Sequence, residues 1–579
     1  MDRQRLTFLP YLCFFVILCG LFGLASGEIK SFDLFWQLQS GKYIYETGQF
    51  IFQDTFSLAA EVPRHEHCWL HDLIFYGVFQ QFGYAGISMF KGLLVALTAL
   101  FLGLAARARG SSWWSFLLLL PILFTQTHSF WLARPQLWTF LFFALFLWLY
   151  EHYRSRPRIM VPAMVAVMLA WANLHAAAVL AIPVLLAYAV GEGLDILLRR
   201  ARHATPCPWA PWLALALVLL AGIATPYGGK FLEVLAYSPG LGADSGASTQ
   251  VYNADWSATT YASLPVYYWA SGLAVLVLLA RPRSLKCRDL LLLGGLFFMG
   301  VKLERHTPFL FFALAVVMPV YLDAYVASLR NFLNDNHKSF RYLGAGLVAV
   351  MVLASSAYFG TALYHHHGFF VTGISPWMYP HRAVEFVQRE KLPVNLFNSH
   401  DVGGYLMWRL YPDYQVFIDG RQSSTEMYNN ALVINDAKPG WTQLLNQHQV
   451  NTIILEPLRY TDGSRYYLID QLRESPDWGT VYADDSFLVF VRRDAVTPAW
   501  FAKHALGSQA IDRTLTRRAE YLVTARPLRP RAYWEAARVL ITNKDYRNAL
   551  PVLKNYLDTV PAAEKVPEAE KIYRHLIQM

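Results

Sequence analysis

The sequence predicts a polytopic α-helical membrane protein with an extracytoplasmic α/β domain and a C-terminal helical segment. Three observations predict it. Of 579 residues, 55% are hydrophobic and only 16% are charged, against roughly 25% charged in soluble domains. Apolar runs of span length recur from Leu6 to Tyr364 and then stop. Beyond Tyr364 the polarity becomes ordinary, and apolar residues fall into short strand-length and helix-length patterns.

The runs come first. Candidate spans cover 6–26, 84–106, 112–127, 135–150, 159–174, 176–197, 210–225, 263–280, 289–302, 307–326 and 341–364. That is about 11 spans, at about 20 apolar residues each. Basic residues gather after every second run: Arg107 and Arg109; Arg154, Arg156 and Arg158; Arg199, Arg200 and Arg202; Arg281, Arg283, Lys286 and Arg288; Arg330, Lys338 and Arg341. Basic short loops stay in the cytoplasm, so the N-terminus is expected inside and everything after Tyr364 outside. The net charge of +9 therefore belongs to membrane orientation, and nucleic acid is not expected as a partner. The first run has Arg3 and Arg5 ahead of it and Ala25-Ser26-Gly27 behind it, the outline of a signal peptide. The runs that follow make it a retained signal-anchor. Five cysteines, four of them in spans or cytoplasmic loops, imply no disulfide framework.

The non-cytoplasmic loops differ from the basic ones. The long first loop, 27–83, holds Asp33, Asp54, His65, Glu66, His67, His71 and Asp72. Later outer turns hold Arg134-Pro135-Gln136, Asn173-Leu174-His175, Thr225-Pro226-Tyr227-Gly228, and Lys302, Glu304, Arg305 and His306. Ionisable groups this close to a bilayer are costly unless they line a polar cavity. Their recurrence on separate outer segments suggests one cavity at the outer face.

Each piece also has a plainer reading. Asp33 could be solvated past a span end. Asp54-Thr55-Phe56-Ser57 has the composition of a turn or helix cap. His65, His67 and His71 have metal-like spacing, with His67 and His71 on one helix face, yet without a second cluster such histidines are more often incidental. Arg134 suits a lipid phosphate or an interfacial anchor. Arg305 and His306 suit a phosphate or a snorkelling pair.

The order of motifs resembles a known family. Phe32-Asp33-Leu34-Phe35-Trp36-Gln37-Leu38, Gly41, Gly48, Asp54-Thr55-Phe56-Ser57 and Cys68-Trp69-Leu70 are similar to the first outer loop of a bacterial family within the GT-C superfamily of integral-membrane glycosyltransferases. So are Ala133-Arg134-Pro135-Gln136, Trp171-Ala172-Asn173-Leu174-His175, Thr225-Pro226-Tyr227-Gly228, Arg305-His306, the stretch Phe397-Asn398-Ser399-His400-Asp401-Val402-Gly403-Gly404-Tyr405-Leu406, and Val416-Phe417-Ile418-Asp419-Gly420-Arg421. The resemblance covers roughly residues 10–495. It implies a polyprenyl-phosphate-linked sugar as donor, transfer on the non-cytoplasmic face, and an acid of the first outer loop as base or metal ligand. Asp33 takes that place and Asp54 is the second candidate. A divalent ion is thus a possible cofactor. In protein-mannosyltransferase members a Glu follows the Asp, whereas Leu34 follows Asp33 here. Substrate-binding candidates are Arg134, Asn173, His175, Tyr227, Arg305 and His306, with the arginines suited to the leaving phosphate.

The expected division is a GT-C-like transmembrane domain over 1–364, an α/β domain over 365–497 and a tetratricopeptide-like tail over 498–579. In the second, strands are expected near 394–397, 415–418 and 451–455, with a hairpin of 479–483 and 486–492 across Asp484-Asp485. The 398–404 segment follows a strand and opens a helix, where α/β sheets bind ligands, and Asp419-Gly420-Arg421 ends the next strand. In the tail, 530–543 and 545–560 read as one helix pair with a capping helix at 566–578.

Three functions compete: a glycosyltransferase of the cell envelope using a polyprenyl-phosphate donor and an unknown acceptor, a non-catalytic membrane scaffold or assembly protein, and a transporter of lipid-linked glycan. No internal repeat supports the transporter, and the polar motifs sit at one face rather than mid-span. The basic loops and the resemblance place the protein in a bacterial inner membrane.

Overall fold

A computed structural model describes residues 2–59, 66–198, 207–229, 257–279, 285–336, 371–421, 424–524, 531–560 and 565–578. The chain divides into two compact units. One comprises 1–31, 44–50 and 66–373; the other comprises 32–43, 51–65 and 374–579. Two pieces of the first long loop thus belong to the unit that carries the C-terminal part.

The first unit is helical. Its helices are α1 (Asp2–Ala25), α3 (Trp69–Ala108), α4 (Trp113–Thr127), α5 (Gln136–Tyr153), α6 (Pro157–Leu174), α7 (Ala181–Leu197), α8 (Ala210–Gly222), α9 (Pro265–Leu279), α10 (Cys287–Lys302) and α11 (Thr307–Asn336); α2 (Leu34–Thr47) lies in the first loop. Helix occupies every expected run from 6–26 to 307–326, while the run at 341–364 lies outside the described residues. Among the described residues, five segments are long and apolar enough to cross a membrane: Phe8–Ala25, Trp69–Ala108, Pro157–Leu174, Ala176–Leu197 and Glu304–Tyr325.

The protein is membrane-integral by the same logic that formed the runs: helices satisfy their own backbone groups, so apolar side chains can face lipid at no hydrogen-bonding cost. Phe15, Leu220, Trp269, Leu273 and Leu276 all point outward and exposed. Helix α3 starts well before the expected span at 84. Gly83, at φ 60°, breaks its helical geometry and separates an N-terminal piece from the longer apolar one. The core of the unit runs through α3, α5 and α11, where Leu94, Phe140, Phe143, Phe309 and Phe312 are buried together.

The second unit is α/β. Strands β1 (Leu396–Asn398), β2 (Thr452–Leu455), β3 (Trp478–Ala483) and β4 (Leu488–Arg492) form one sheet in the order β1-β2-β4-β3. β1 and β2 are parallel, and the other pairs are antiparallel. The hairpin forms at the expected place: Asp484 Oδ1 accepts the backbone N–H groups of Ser486 and Phe487, each at 2.8 Å.

The expected strand at 415–418 does not join this sheet. Val416 instead forms a parallel bridge to Ser57 in the first loop. Val416 N–H donates to Phe56 O at 3.3 Å, and Leu58 N–H donates to Val416 O at 3.0 Å. Helices α12 (His381–Glu390) and α13 (His400–Leu410) flank β1. Helices over Ser508–Thr524, Arg531–Thr542, Tyr546–Thr559 and Pro567–Gln578 follow the sheet and pack in sequence, with Leu515, Ala519, Ala536, Leu553 and Tyr556 buried between them.

Candidate active site

In the helical unit, the residues singled out from the sequence sit at the N-terminal ends of α3 and α5, the C-terminal end of α6, and the turn from α10 into α11. Neutral hydrogen bonds tie them together. Trp138 Nε1 donates to His71 Nδ1 at 3.0 Å. His175 Nδ1 lies 2.6 Å from Thr139 Oγ1, and that oxygen also accepts from Trp171 Nε1 at 2.9 Å. Trp69 Nε1 donates to Asn173 Oδ1 at 2.9 Å, while Asn173 Nδ2 donates to Leu169 O and Ala224 O. Asn173 therefore joins the α6 end to the turn after α8. Tyr227 is buried and reaches this group through Phe50, whose ring lies 6.4 Å from Tyr227 and 5.2 Å from Trp69.

Arg134 Nε donates to Ser31 Oγ at 3.2 Å, and Gln136 Nε2 reaches Arg305 O at 3.5 Å. Arg305 and His67 lie close to His175, and His175 lies close to His71. His306 stands beside Phe309, with ring centroids 6.4 Å apart. Candidates scattered over the sequence thus converge, and the end they share is rich in Arg and His.

The opposite end of the same bundle was read from sequence as plain basic loops, and there the structure corrects the reading. Arg109 and Arg288 are buried. Arg109 bonds Glu151 at 2.5 Å and Asp289 at 2.6 Å. Arg288 bonds Glu151 and Glu192, each at 2.9 Å. Tyr188 donates to Glu151 and Tyr321 to Asp289. Arg288 also lies over the stacked rings of Tyr150 and Tyr188. Helix α7 comes so close to α10 that a Cβ at Gly191 would lie 2.3 Å from Arg288 Cα. One signal could have found this network: Glu192 lies inside an apolar run, and an acid there needs a partner.

In the α/β unit, Asp33 and Asp54 meet the same turn, Asp419-Gly420-Arg421. Asp33 immediately precedes α2, and its Oδ1 accepts from Trp36 Nε1 at 3.3 Å. That carboxylate lies over Gly420, where a Cβ would come within 2.8 Å of Oδ1. Gly403 and Gly404 let α13 close on the same place: a Cβ at Gly403 would meet Ile418 O at 1.9 Å, and one at Gly404 would meet Phe32 O at 3.1 Å. Asp54 is fully buried and accepts from Phe56 N–H at 3.0 Å, Ser57 Oγ at 2.9 Å and Arg421.

His400 opens α13 beside Asp401, with Nδ1 to Oδ1 at 3.4 Å. Desolvation opposes its charge, but Asp401, Asp419 and Asp33 outweigh it, and the net shift is upward from the ordinary imidazole value. Behind it, Glu456 is buried and accepts from Ser399 Oγ at 2.9 and 2.8 Å and from Tyr466 at 3.2 Å. Burial, with Asp401 nearby, raises its pKa.

A metal ion fits poorly here. Among the described residues no group of three or more His, Cys, Asp or Glu could hold one. Asp54 and Asp419 are engaged by a guanidinium, His71 by Trp138, and His65 lies outside the described residues.

Over 84% of its length the chain aligns with the oligosaccharyltransferase AglB of Archaeoglobus fulgidus, solved in complex with an inhibitory peptide and a dolichol-phosphate. The TM-score is 0.53, the identity 12%, and 75% of that chain is covered. ArnT of Cupriavidus metallidurans, bound to undecaprenyl phosphate, aligns over 84% of this chain and 99% of its own at TM-score 0.48 and 15% identity. The likeness of fold rests on the first. No protein-family model matches the chain, and no curated protein matches it in sequence.

Proposed function

We propose that the protein is a glycosyltransferase that moves a sugar from a polyprenyl-phosphate-linked donor to an acceptor hydroxyl on the non-cytoplasmic face of a bacterial inner membrane, its N-terminus cytoplasmic. The observation that carries this reading is the fold shared with AglB, whose structure holds a dolichol-phosphate. The convergence of Arg305, His67, His71 and His175 at one bundle end supports it.

In the proposed reaction Asp33 accepts the proton of the acceptor hydroxyl. The acceptor oxygen bonds to the anomeric carbon, and the bond from that carbon to the phosphate oxygen breaks. Its electron pair leaves with the polyprenyl phosphate, whose charge falls to Arg134 and Arg305. Asn173, His175, Tyr227 and His306 bind and orient the donor. Asp54 is assigned to holding the first loop, because its oxygens are occupied by Phe56, Ser57 and Arg421. No step runs through a metal ion.

The test is turnover of radiolabelled polyprenyl-phosphate sugars by the full-length protein in detergent, wild type beside Asp33→Asn. Release of polyprenyl phosphate by wild type, reduced about 100-fold or more in the variant, is expected for loss of a general base. Turnover equal in both removes Asp33 from the mechanism. Folded protein that turns over no donor, with acceptors supplied, leaves the scaffold as the better reading.

A further inference from the structure

Two carboxylates that face each other in a buried place must either take up a proton or hold a cation between them. Asp54 and Asp419 are such a pair, and Arg421 stands between them with its side chain fully buried. We propose that Arg421 is the resident cation of this pair, standing where a proton or a divalent ion would otherwise be needed, and that it ties the first-loop segment 54–58 to the turn after Val416.

The geometry is that of a guanidinium fork. Arg421 Nε donates to Asp419 Oδ1 and Nη2 to Asp419 Oδ2, both at 2.7 Å. Nη2 also lies 3.0 Å from Asp54 Oδ1 and 3.2 Å from Oδ2. Planar, bidentate contact of this kind suits Arg and not a point charge.

The remaining acceptor capacity is used locally. Asp419 Oδ1 takes Arg421 N–H at 2.9 Å, Asp54 Oδ1 takes Phe56 N–H, and Asp54 Oδ2 takes the Ser57 hydroxyl. The Phe56 ring, itself fully buried, lies 5.2 Å from the guanidinium carbon. An oxygen-liganded ion needs several oxygens at about 2.0–2.6 Å, and these oxygens already face donors.

Apart from the ion pair, the tied segment is held by the buried Phe56 ring, edge-on to Tyr43 and Tyr411, and by Leu58 against the core. Its backbone bonds go to Val416, with Gln415 Nε2 reaching Thr55 O at 3.4 Å. Arg421 thus acts as a positioning residue for the loop that carries Asp33. This inference goes beyond the transferase reading and does not need it.

The test uses thermal unfolding of the full-length protein in detergent, followed by tryptophan fluorescence after exhaustive dialysis. Wild type is expected to unfold at one temperature whether EDTA, magnesium or manganese is present. Arg421→Ala is expected to unfold about 10 °C lower, the effect of stranding a buried carboxylate, and millimolar guanidinium is expected to restore part of the loss. Arg421→Lys should recover less than half, since an ammonium cannot fork onto both partners. A wild-type midpoint that falls with EDTA and returns with manganese would overturn the proposal, as would an Arg421→Ala midpoint equal to wild type. If Arg421→Ala yields no folded protein, the chelation arm and Arg421→Lys decide the matter.

Discussion

Buried arginine is used in two regions of this protein, in different ways. At one bundle end Arg109 and Arg288 meet Glu151, Glu192 and Asp289, so helix is joined to helix. In the α/β unit Arg421 meets Asp54 and Asp419, so an irregular loop is joined to an irregular turn. The first network connects elements whose shape the backbone already fixes, and it lies among apolar helices where water cannot replace a lost partner. The second joins segments that have little regular structure of their own. Charge pairing therefore secures packing in one region and conformation in the other.

The sharpest way to break this comparison is at Arg288. Arg288→Met leaves Glu151 and Glu192 without one of their two or more donors in a buried setting. A loss of about 3–5 kcal/mol is expected, the usual result of removing one partner of a buried pair. It would be read as a lower unfolding temperature or as loss of folded protein in detergent. Adding Glu192→Gln to that variant should recover part of the loss, because it removes one stranded charge. A single variant as stable as wild type would mean that water or lipid headgroups reach this end.

The two regions also differed in how far the sequence revealed them. Apolar length located the helices, because spanning and self-satisfied hydrogen bonding act locally. The β-hairpin was legible for the same reason, since Asp484 caps its own turn. Arg109 and Arg288, by contrast, were counted as loop charges, although their side chains are only 1% and 2% exposed. Loop charge records orientation and is silent on pairing. The tie between Asp54 and Arg421 joins residues 367 apart in the chain, and no local pattern encodes that. The turn after Ile418 looked like a strand end because it follows the apolar run Val416-Phe417-Ile418. What decided its fate was the distant segment around Ser57.

Two acid–base groups near Asp401 test how finely the α/β unit is tuned, and Glu456 comes first. Its raised pKa means that the native state favours the protonated acid. Below the unfolded carboxylate pKa both states are protonated and nothing is lost. As pH rises past that value the native state pays for ionising Glu456, in full once pH exceeds the folded pKa. Glu456→Gln removes that cost and still offers Ser399 and Tyr466 an oxygen. It should stabilise the protein by on the order of 1 kcal/mol at alkaline pH and by nothing at acid pH. A variant destabilised at every pH would show that the second carboxylate oxygen is needed by the Ser399 hydroxyl.

His400 gives the smaller effect, of opposite sign. Its pKa is raised by Asp401, Asp419 and Asp33 against the cost of burial. The stability it contributes is therefore fully present below the unfolded imidazole value and is lost as pH rises through the folded one. His400→Gln should lower the unfolding temperature by a few degrees at acid pH, where the imidazolium balances these carboxylates. The gap to wild type should close at alkaline pH, where both side chains are neutral. A third of the His400 side chain is exposed, so added salt should shrink the acid-side gap. A gap that is the same at every pH would mean that His400 matters by its shape, and that the carboxylates around Gly420 keep their charge without it.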